Sequence, residues 1–258
     1  MNERDFEMKK IVLIGGSGTI GSILREGFAS EFELVNLDIE VNKENRTNRK
    51  VDATKYNELV RSIPNDADVL INLLSKPQTE NLVDVAEMDK LVDVFLKASY
   101  HIFQAAIDLG IPKVVVASSN HVTDYYEEDG DSTLGREINV NDYPYSNGLY
   151  GILKLATENL GFAFHNKHNL SVINLRIGSV KQNEETEIYE DLDRLKHTWL
   201  SEIDTVNLFR NAILSEVKFD TYYGVSDNKG KPWNNDKTKR ELGFESVWNS
   251  DDVIEEGD

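Results

Sequence analysis

The sequence predicts an α/β protein built on a doubly wound parallel sheet, and two observations support this fold class. Short apolar runs alternate with segments of helical periodicity from residue 10 to residue 178. The apolar runs are hydrophobic throughout, without the polar–apolar alternation that marks a strand with one solvated face. Strands of this kind lie in a sheet that helices cover on both faces, and right-handed crossovers between them wind the sheet in both directions.

The individual elements follow from the same pattern. The predicted strands are residues 10–14, 33–37, a short strand near Val51, 68–73, 113–117 and 171–177. The predicted helices between them are residues 19–29, 55–63, 88–109 and 149–168. Gly110 and Pro112 end the third helix, because glycine suits the left-handed residue after a helix and proline cannot continue one.

The pattern changes after Gly178. Residues 181–190 are polar and predict a loop, and Ser201 with Asp204 three residues later predicts a capped helix start. A late strand at 219–225 and a short helix at 236–242 follow. We therefore predict a main domain over residues 1–178, a small C-terminal region over 179–250 packed on it, and an acidic tail over 251–258.

Charge and composition exclude several classes of function. The chain has 258 residues and a net charge of −18, so its surface repels phosphate backbones and a nucleic-acid partner is not expected. Cysteine is absent, which excludes thiolate chemistry and cysteine metal sites. No apolar stretch approaches the roughly 20 residues of a membrane span, and the N-terminal residues lack an apolar signal region. We expect a cytoplasmic protein with no membrane partner.

A glycine-rich segment lies between the first predicted strand and the first helix. Its spacing is Gly-x-x-Gly-x-x-Gly, at Gly15, Gly18 and Gly21. Glycines allow a tight turn whose backbone N–H groups approach a pyrophosphate, and the helix N-terminus adds positive potential there. The segment predicts a Rossmann-type dinucleotide site, the alternative being a glycine-rich turn without a ligand. The expected cofactor contacts in it are Gly15, Ser17, Gly18, Thr19, Ile20 and Gly21.

Asp38 indicates which dinucleotide is used. It ends the second predicted strand, 17 residues after Gly21. An acid at this place accepts hydrogen bonds from the adenosine ribose hydroxyls and repels the additional phosphate of NADP. The prediction is therefore NAD, and the alternative is an aspartate that merely ends a strand.

Tyr150 and Lys154 are the candidate catalytic pair. They are four residues apart and share one face of the predicted helix 149–168. A nearby ammonium favours the phenolate and lowers the pKa of a tyrosine, which suits proton transfer coupled to hydride transfer. The spacing alone is weakly specific, but the pair follows the strand 113–117, and that strand leads into Ser118-Ser119-Asn120-His121.

These motifs together resemble the extended short-chain dehydrogenase/reductase superfamily, or NAD-dependent epimerase/dehydratase family, over nearly the whole chain. Within it the sequence is most similar to uronate dehydrogenases. The stretches that carry the resemblance are Gly15–Gly21, Asp52-Ala53, Leu73-Leu74-Ser75, Ser118 to Val122, Leu149 to Gly151 with Lys154, Leu175 to Ser179, Arg194 with Thr198 to Ser201, and Tyr223 to Ser226 with Asn228. The chain departs from the family at Phe95, where an asparagine is usual.

The resemblance implies roles for the reaction centre. Tyr150 would be the base for the anomeric hydroxyl, and Lys154 would tune it and hold the nicotinamide ribose. Ser119 and Asn120 would orient the reacting oxygen. The further cofactor contacts that the resemblance implies are Asp52 and Ala53 beside adenine, and Leu73, Leu74 and Ser75 beside the nicotinamide ribose.

The resemblance also implies a sugar site. Ser75 and His121 would bind sugar hydroxyls, while Ser179 and Arg194 would hold the substrate carboxylate. A loop histidine without a ligand, and an arginine in a surface ion pair with Asp191 or Asp193, are the alternatives for His121 and Arg194. His121 has no second ligand at metal-binding spacing, so no metal is expected.

The function predicted in this way is NAD-dependent oxidation of a sugar acid, a uronate, at its anomeric carbon to give an aldonolactone. The expected partners are a small sugar substrate and further copies of the chain in a homo-oligomer. A sugar-nucleotide epimerase or dehydratase on the same scaffold is the alternative, and it would need a larger C-terminal region. A non-enzymatic NAD sensor is a third hypothesis, although a sensor has no use for a general base.

Overall fold

The structure is a computed structural model, which describes residues 8–41, 47–76, 85–181 and 191–252. Seven strands form one sheet in the order β3-β2-β1-β4-β5-β8-β9, and all neighbouring pairs in it are parallel. The strands are β1 Lys10–Ile14, β2 Glu33–Asp38, β3 Asn48–Lys50, β4 Val69–Asn72, β5 Lys113–Ser119, β8 Ser171–Ile177 and β9 Phe219–Gly224, with a separate antiparallel pair, β6 Glu127–Glu128 and β7 Asp131–Ser132.

Helices connect these strands. They are α1 Thr19–Gly27, α2 Tyr56–Ser62, α3 Val85–Leu91, α4 Ala98–Leu109, α5 Leu149–His168, α6 Leu192–Thr198, α7 Glu202–Leu214 and α8 Asp236–Leu242. A π-helical segment, Val92–Lys97, joins α3 to α4, and a 3₁₀ segment, Asn120–Tyr126, follows β5. None of the described helices is long and apolar enough to cross a membrane.

Both faces of the sheet are covered at its centre, which explains why the central strands, such as β1 and β4, are mainly apolar. In β1, Ile11 and Leu13 face a core built with α1 and α7, whereas Val12 and Ile14 face a core built with α2, α4 and α5. The apolar residues of β1 are therefore buried whichever way their side chains point. The predicted doubly wound α/β fold is confirmed.

The strand order reverses between β1 and β4. The chain winds outward from β1 through β2 to β3, then returns to β4 and winds the other way through β5, β8 and β9. Ligands of open parallel sheets bind at such a reversal, beyond the carboxyl ends of the strands. In this chain Gly15 and Leu73 follow the two strands at that point.

The predicted helix 88–109 is helical but not uniform. It consists of α3, the π-helical segment and α4. A π turn accommodates one residue more than an α turn, and a hydrophobic period alone does not detect it. The Thr157 hydroxyl donates to the Phe95 carbonyl oxygen at 2.9 Å, so α5 supplies a partner for the backbone of this segment.

The C-terminal region does not stand apart from the sheet, because β9 extends it next to β8. Ser201 caps α7 as predicted, its hydroxyl accepting from the Asp204 amide at 3.1 Å. The Asp204 carboxylate accepts from Ser226, Ser246 and the Val247 amide, so only half of the predicted capping box is present. Most of the predicted loop 181–190 and tail 251–258 lie outside the described residues.

Candidate active site

Two adjoining cavities lie at the carboxyl edge of the sheet, where β1 and β4 end. The first has a volume of about 490 Å³ and the second about 630 Å³. Their walls share the glycine segment and the residues after β4, and the shared residues are Gly15, Gly18, Leu73, Ser75 and Lys76. The cavities therefore form one elongated site across the strand-order reversal, a shape that suits a dinucleotide.

The glycine segment can cradle a pyrophosphate only because it lacks side chains. Gly15 has a left-handed backbone at φ +85, and a Cβ there would lie 3.0 Å from the Leu73 carbonyl carbon. A Cβ at Gly21 would lie 2.4 Å from the Gly16 Cα, so the helix start packs directly on the turn. No side chain caps the N-terminus of α1, which leaves its first amides to an anion.

The first cavity suits the adenosine half of the cofactor. Asp38 lies in its wall, where one carboxylate oxygen accepts from the Ser17 amide at 2.9 Å and the other from the Glu40 amide at 3.1 Å. Asp52 and Ala53 line the same cavity, as do Leu73, Leu74 and Ser75. Much of the remaining wall is apolar, which suits a purine ring. Lining residues that the sequence did not single out are Ile14, Leu37, Ile39, Glu40, Val51, Thr54, Lys76, Val94 and Ala98.

Tyr150 lies in the wall of the second cavity with Ser119, Asn120 and His121, the predicted residues at and after the end of β5. Burial raises the pKa of Tyr150, and hydrogen bonds from the side chains of Ser119 and Ser75 oppose that rise. The Ser119 hydroxyl also accepts from the His121 amide and donates to the Asn120 amide oxygen, both at 3.2 Å. The loop after β5 thereby fixes a hydroxyl beside the tyrosine.

Lys154 lies behind this wall, one helical turn from Tyr150. Its side chain is buried, and Nζ donates to the Ala117 carbonyl at 2.7 Å and the Leu74 carbonyl at 3.1 Å. Burial lowers the pKa of Lys154 to about 7, with the Glu158 charge opposing. Nζ lies 5.5 Å from the centroid of the Tyr150 ring and 5.1 Å from that of Phe95.

The sequence predicted that the Lys154 ammonium lowers the pKa of Tyr150, and in this structure the pKa of Tyr150 is raised. The physical reason is twofold. Burying the phenol penalises its charged form, and the Lys154 charge is itself weakened by burial and bound to two carbonyls. The two serine hydroxyls, rather than the lysine, are the groups that favour the phenolate.

A buried ion pair fixes α5, the helix that carries Tyr150 and Lys154, against the sheet. Arg176 on β8 makes a two-pronged pair with Glu158 on α5, with N–O distances of 2.9 and 2.8 Å. Ser118 donates to the same carboxylate, and Tyr223 joins Arg176 to Thr123. The ends of β5, β8 and β9 are thus tied to the helix that carries Tyr150. Glu158 was not singled out from the sequence, although it follows Lys154 by four residues on the same helix face.

Arg194 is placed differently from the other predicted residues. Ser179 lines the second cavity, and Arg194 lies behind it, with Nη1 3.4 Å from the Ser179 hydroxyl. The predicted alternative was an ion pair with Asp191 or Asp193. The partner is instead Glu127, whose carboxylate oxygens lie 3.0 Å from Nε and 2.9 Å from Nη2.

His121 closes the second cavity beside Tyr150, with the two ring centroids 5.6 Å apart. Its Nδ1 lies 3.1 Å from an Asp124 carboxylate oxygen, which orients the ring. Nε2 is the ring nitrogen that this contact leaves for a ligand. Across the described ranges no three histidines or acids are placed to hold a metal ion.

Comparison with known proteins shows the family to which this chain belongs. The sequence profile of the NAD dependent epimerase/dehydratase family matches residues 11–183. The chain belongs to this family. The resemblance to the extended short-chain dehydrogenase/reductases is therefore confirmed, as are the prediction of an NAD-dependent enzyme and that of NAD as the cofactor.

Individual relatives span nearly the whole chain. The uncharacterized protein YtbQ of Bacillus subtilis is 45% identical over 249 residues, covering 96% of this chain and 98% of the relative. An NAD-dependent glucose-6-phosphate dehydrogenase of Haloferax volcanii is 28% identical, covering 96% and 97%. The crystal structure of a uronate dehydrogenase mutant from Agrobacterium tumefaciens, complexed with NAD, superposes with a TM-score of 0.81 at 21% identity, covering 97% and 89%.

Proposed function

We propose that this protein is an NAD-dependent dehydrogenase that oxidises the anomeric carbon of a sugar, with Tyr150 as the general base. The observation that carries the proposal is the position of Tyr150 beside Ser119 and His121 in the wall of the second cavity, which shares Ser75 and the glycine segment with the first cavity. A general base must reach the proton that it removes, and the Tyr150 hydroxyl lies where a sugar would meet a dinucleotide. The Haloferax volcanii relative and the uronate dehydrogenase structure, both named as sugar dehydrogenases, support the same chemistry.

The reaction divides between the cofactor and the chain. When bound, NAD supplies the acceptor for the hydride that leaves the anomeric carbon. Tyr150 accepts the proton of the anomeric hydroxyl, so the sugar loses a hydride and a proton together and becomes a lactone. Ser119 holds the reacting oxygen beside Tyr150 by turning towards it the hydroxyl proton that it otherwise donates to the Asn120 amide oxygen. The proton then passes to water.

The cofactor roles of the remaining residues belong to the same proposal. Asp38 holds the adenosine ribose, and the glycine segment with the start of α1 holds the pyrophosphate. Lys154 exchanges one of its present carbonyl partners for a ribose hydroxyl, since Leu74, one of these partners, lines the first cavity. His121 offers Nε2 to a sugar hydroxyl from its place beside Tyr150.

The test is a substrate panel. The purified protein is incubated with NAD and with neutral aldoses, uronates, sugar phosphates and nucleotide sugars, and the absorbance of reduced cofactor is followed. We expect one class of free sugar to produce reduced cofactor. Tyr150→Phe should lower turnover by about 10²–10⁴-fold, because it removes only the hydroxyl of the general base.

Two controls make the panel decisive. Tyr150→Phe should retain the wild-type gain in melting temperature on adding NAD, which shows that the cofactor site is intact. If a nucleotide sugar is epimerised without net production of reduced cofactor, the protein is an epimerase and the proposal is wrong. Near-normal turnover by Tyr150→Phe would remove that residue from the mechanism.

A further inference from the structure

The arginine that was expected to receive a substrate carboxylate is already occupied by a carboxylate of the chain. Glu127 binds the Nε and Nη2 side of Arg194, with both oxygens engaged at 3.0 and 2.9 Å. A planar guanidinium recognises a carboxylate best through such a pair of parallel hydrogen bonds. The favoured binding mode for a uronate on Arg194 is therefore taken.

The fold builds this pair in. The Glu127 side chain is 6% exposed and the Arg194 side chain 24%. Glu127 also accepts from the Gly130 amide at 2.7 Å, across a turn in which Asp129 and Gly130 both have positive φ. A Cβ at Gly130 would lie 2.9 Å from the Arg194 carbonyl oxygen, so the turn packs directly on the helix that carries the arginine. Glu127 is held in place by backbone and by packing as well as by charge.

The pair of Arg194 and Glu127 reaches the cavity only through a neutral group, the Ser179 hydroxyl. The remaining donor, Nη1, points to the Ser179 hydroxyl at 3.4 Å, and Ser179 shares a 2.9 Å hydrogen bond with the Thr198 hydroxyl. A uronate carboxylate at Ser179 would lie close to the buried Glu127 carboxylate, and displacing Glu127 would strand a buried charge. A sugar hydroxyl can donate to and accept from Ser179 without either cost.

The rest of the wall offers little compensation for an anion. Among the described residues that line the second cavity there is one lysine, Lys76, and no arginine. Lys76 also lines the first cavity, where the anionic cofactor binds.

We propose that the substrate is a neutral aldose, and that Glu127 excludes uronates by occupying Arg194. The proposal rests on the proposed function, because it names the sugar class for the same reaction. It replaces the predicted uronate with a sugar whose distal group is a hydroxyl or a hydrogen. Glu127 acts as a specificity-determining residue that works through Arg194.

The first test compares matched sugars in the wild type. The kcat/KM is measured with NAD for D-glucose against D-glucuronate, for D-galactose against D-galacturonate, and for glucose 6-phosphate as a second anion. We expect the neutral sugar of at least one pair to be preferred by tenfold or more. A wild type that prefers a uronate or the sugar phosphate contradicts the neutral-aldose proposal and leaves the proposed function standing. A wild type that binds NAD but oxidises none of the sugars contradicts both.

The second test exposes the arginine. Glu127→Gln should raise the ratio of uronate to aldose efficiency at least tenfold, and adding Arg194→Ala to it should abolish that gain. Glu128→Gln is the matched control, because it removes the same charge from the next, exposed residue of β6 and should leave the ratio unchanged. An unchanged ratio in a folded Glu127→Gln variant contradicts the role of Glu127. If that variant does not fold, the wild-type ratio still decides the substrate class.

Discussion

At the scale of single residues, the acidity of Tyr150 depends on two serines. Burial raises the pKa of the phenol, and hydrogen bonds from Ser119 and Ser75 lower it. A general base acts in its deprotonated form, so activity should rise with pH through the pKa of Tyr150. Any change that removes a hydrogen bond to the phenolate should move this rise to higher pH.

Ser119→Ala tests that dependence. The variant loses one hydrogen bond that favours the phenolate, so the rising limb of kcat/KM against pH should shift to higher pH. Turnover near neutral pH should fall by about 10²-fold, because the reacting oxygen also loses its positioning group. The measurement is a pH profile with the best substrate and saturating NAD. A profile that keeps its midpoint while falling in height would show that Ser119 positions the substrate without tuning Tyr150.

The burial of Lys154 should lower the free energy of unfolding near neutral pH, although the residue serves the proposed reaction. Burial lowers its pKa from 10.5 to about 7, so the unfolded chain binds a proton that the folded chain has lost between these values. Wild-type stability should therefore rise as pH increases from 7 towards 10.5, and the full penalty of burying the lysine applies below pH 7.

Lys154→Met removes that penalty. At pH 7 we expect the free energy of unfolding to rise by about 1–2 kcal/mol, or about 2–4 °C in melting temperature for each kcal/mol. The gain should shrink at about pH 9, where the wild-type lysine is neutral in the folded state, and turnover should be lost. Thermal melts at the two pH values measure it. A lower melting temperature at pH 7 would mean that the hydrogen bonds to Leu74 and Ala117 outweigh the burial of the charge.

At the scale of elements, the unit β1–α1–β2 carries the residue, Asp38, that we propose selects the cofactor. It brings the Asp38 carboxylate to 2.9 Å from the Ser17 amide, within the glycine segment. The acid therefore lies where an adenosine ribose would approach, and a second phosphate there would place two like charges in contact. Such contacts commonly cost several kcal/mol in discrimination between ligands.

Asp38→Ser should relax this discrimination. The wild type should use NAD with much higher kcat/KM than NADP, and the variant should lower the NAD-to-NADP ratio by about 10²-fold, which corresponds to about 2.8 kcal/mol. Initial rates with each cofactor at a fixed sugar concentration give the ratio. Equal use of the two cofactors by the wild type would show that Asp38 only ends a strand.

Most elements could be predicted because burial on both faces leaves a strong apolar signal. The strand 10–14 was predicted with its observed bounds, since its four apolar residues, 11–14, each enter one of two cores. The π-helical turn at Val92–Lys97 could not be predicted, because its residues keep a helical apolar pattern. The pair β6–β7 was also missed, since two-residue strands carry no periodicity.

At the scale of the whole molecule, a net charge of −18 opposes compaction. Salt screens such repulsion, because the Debye length falls from about 30 Å at 0.01 M to about 8 Å at 0.15 M. We expect the melting temperature to rise by a few degrees over this range of sodium chloride. Potassium chloride should raise the melting temperature by the same amount. Sucrose of equal osmolality screens no charge, so it should change the melting temperature by a different amount. A melting temperature that falls with salt would mean that surface ion pairs outweigh the net repulsion.

The candidate site was only partly predictable, because sequence motifs detect residues that are neighbours in the chain and miss partners that are distant in it. Residues next to each other in sequence, such as Ser119 and Asn120, were found through local motifs. The partner of Arg194 was not, because Glu127 lies 67 positions away and the hairpin that presents it has no sequence signal. The local candidates, Asp191 and Asp193, were the only partners considered for the alternative of an ion pair. A charge whose partner depends on tertiary packing cannot be assigned from spacing alone.

The two outer strands of the sheet affect how the protein behaves at high concentration. Exposed strand edges invite pairing with other chains, and that pairing leads to aggregation. At one edge β3 is three residues long and ends with Arg49 and Lys50. At the other edge the Tyr223 carbonyl of β9 accepts the Thr238 hydroxyl of α8 at 2.6 Å, so a backbone group on that edge is already bonded. Both features disfavour pairing of these edge strands with another copy of the chain.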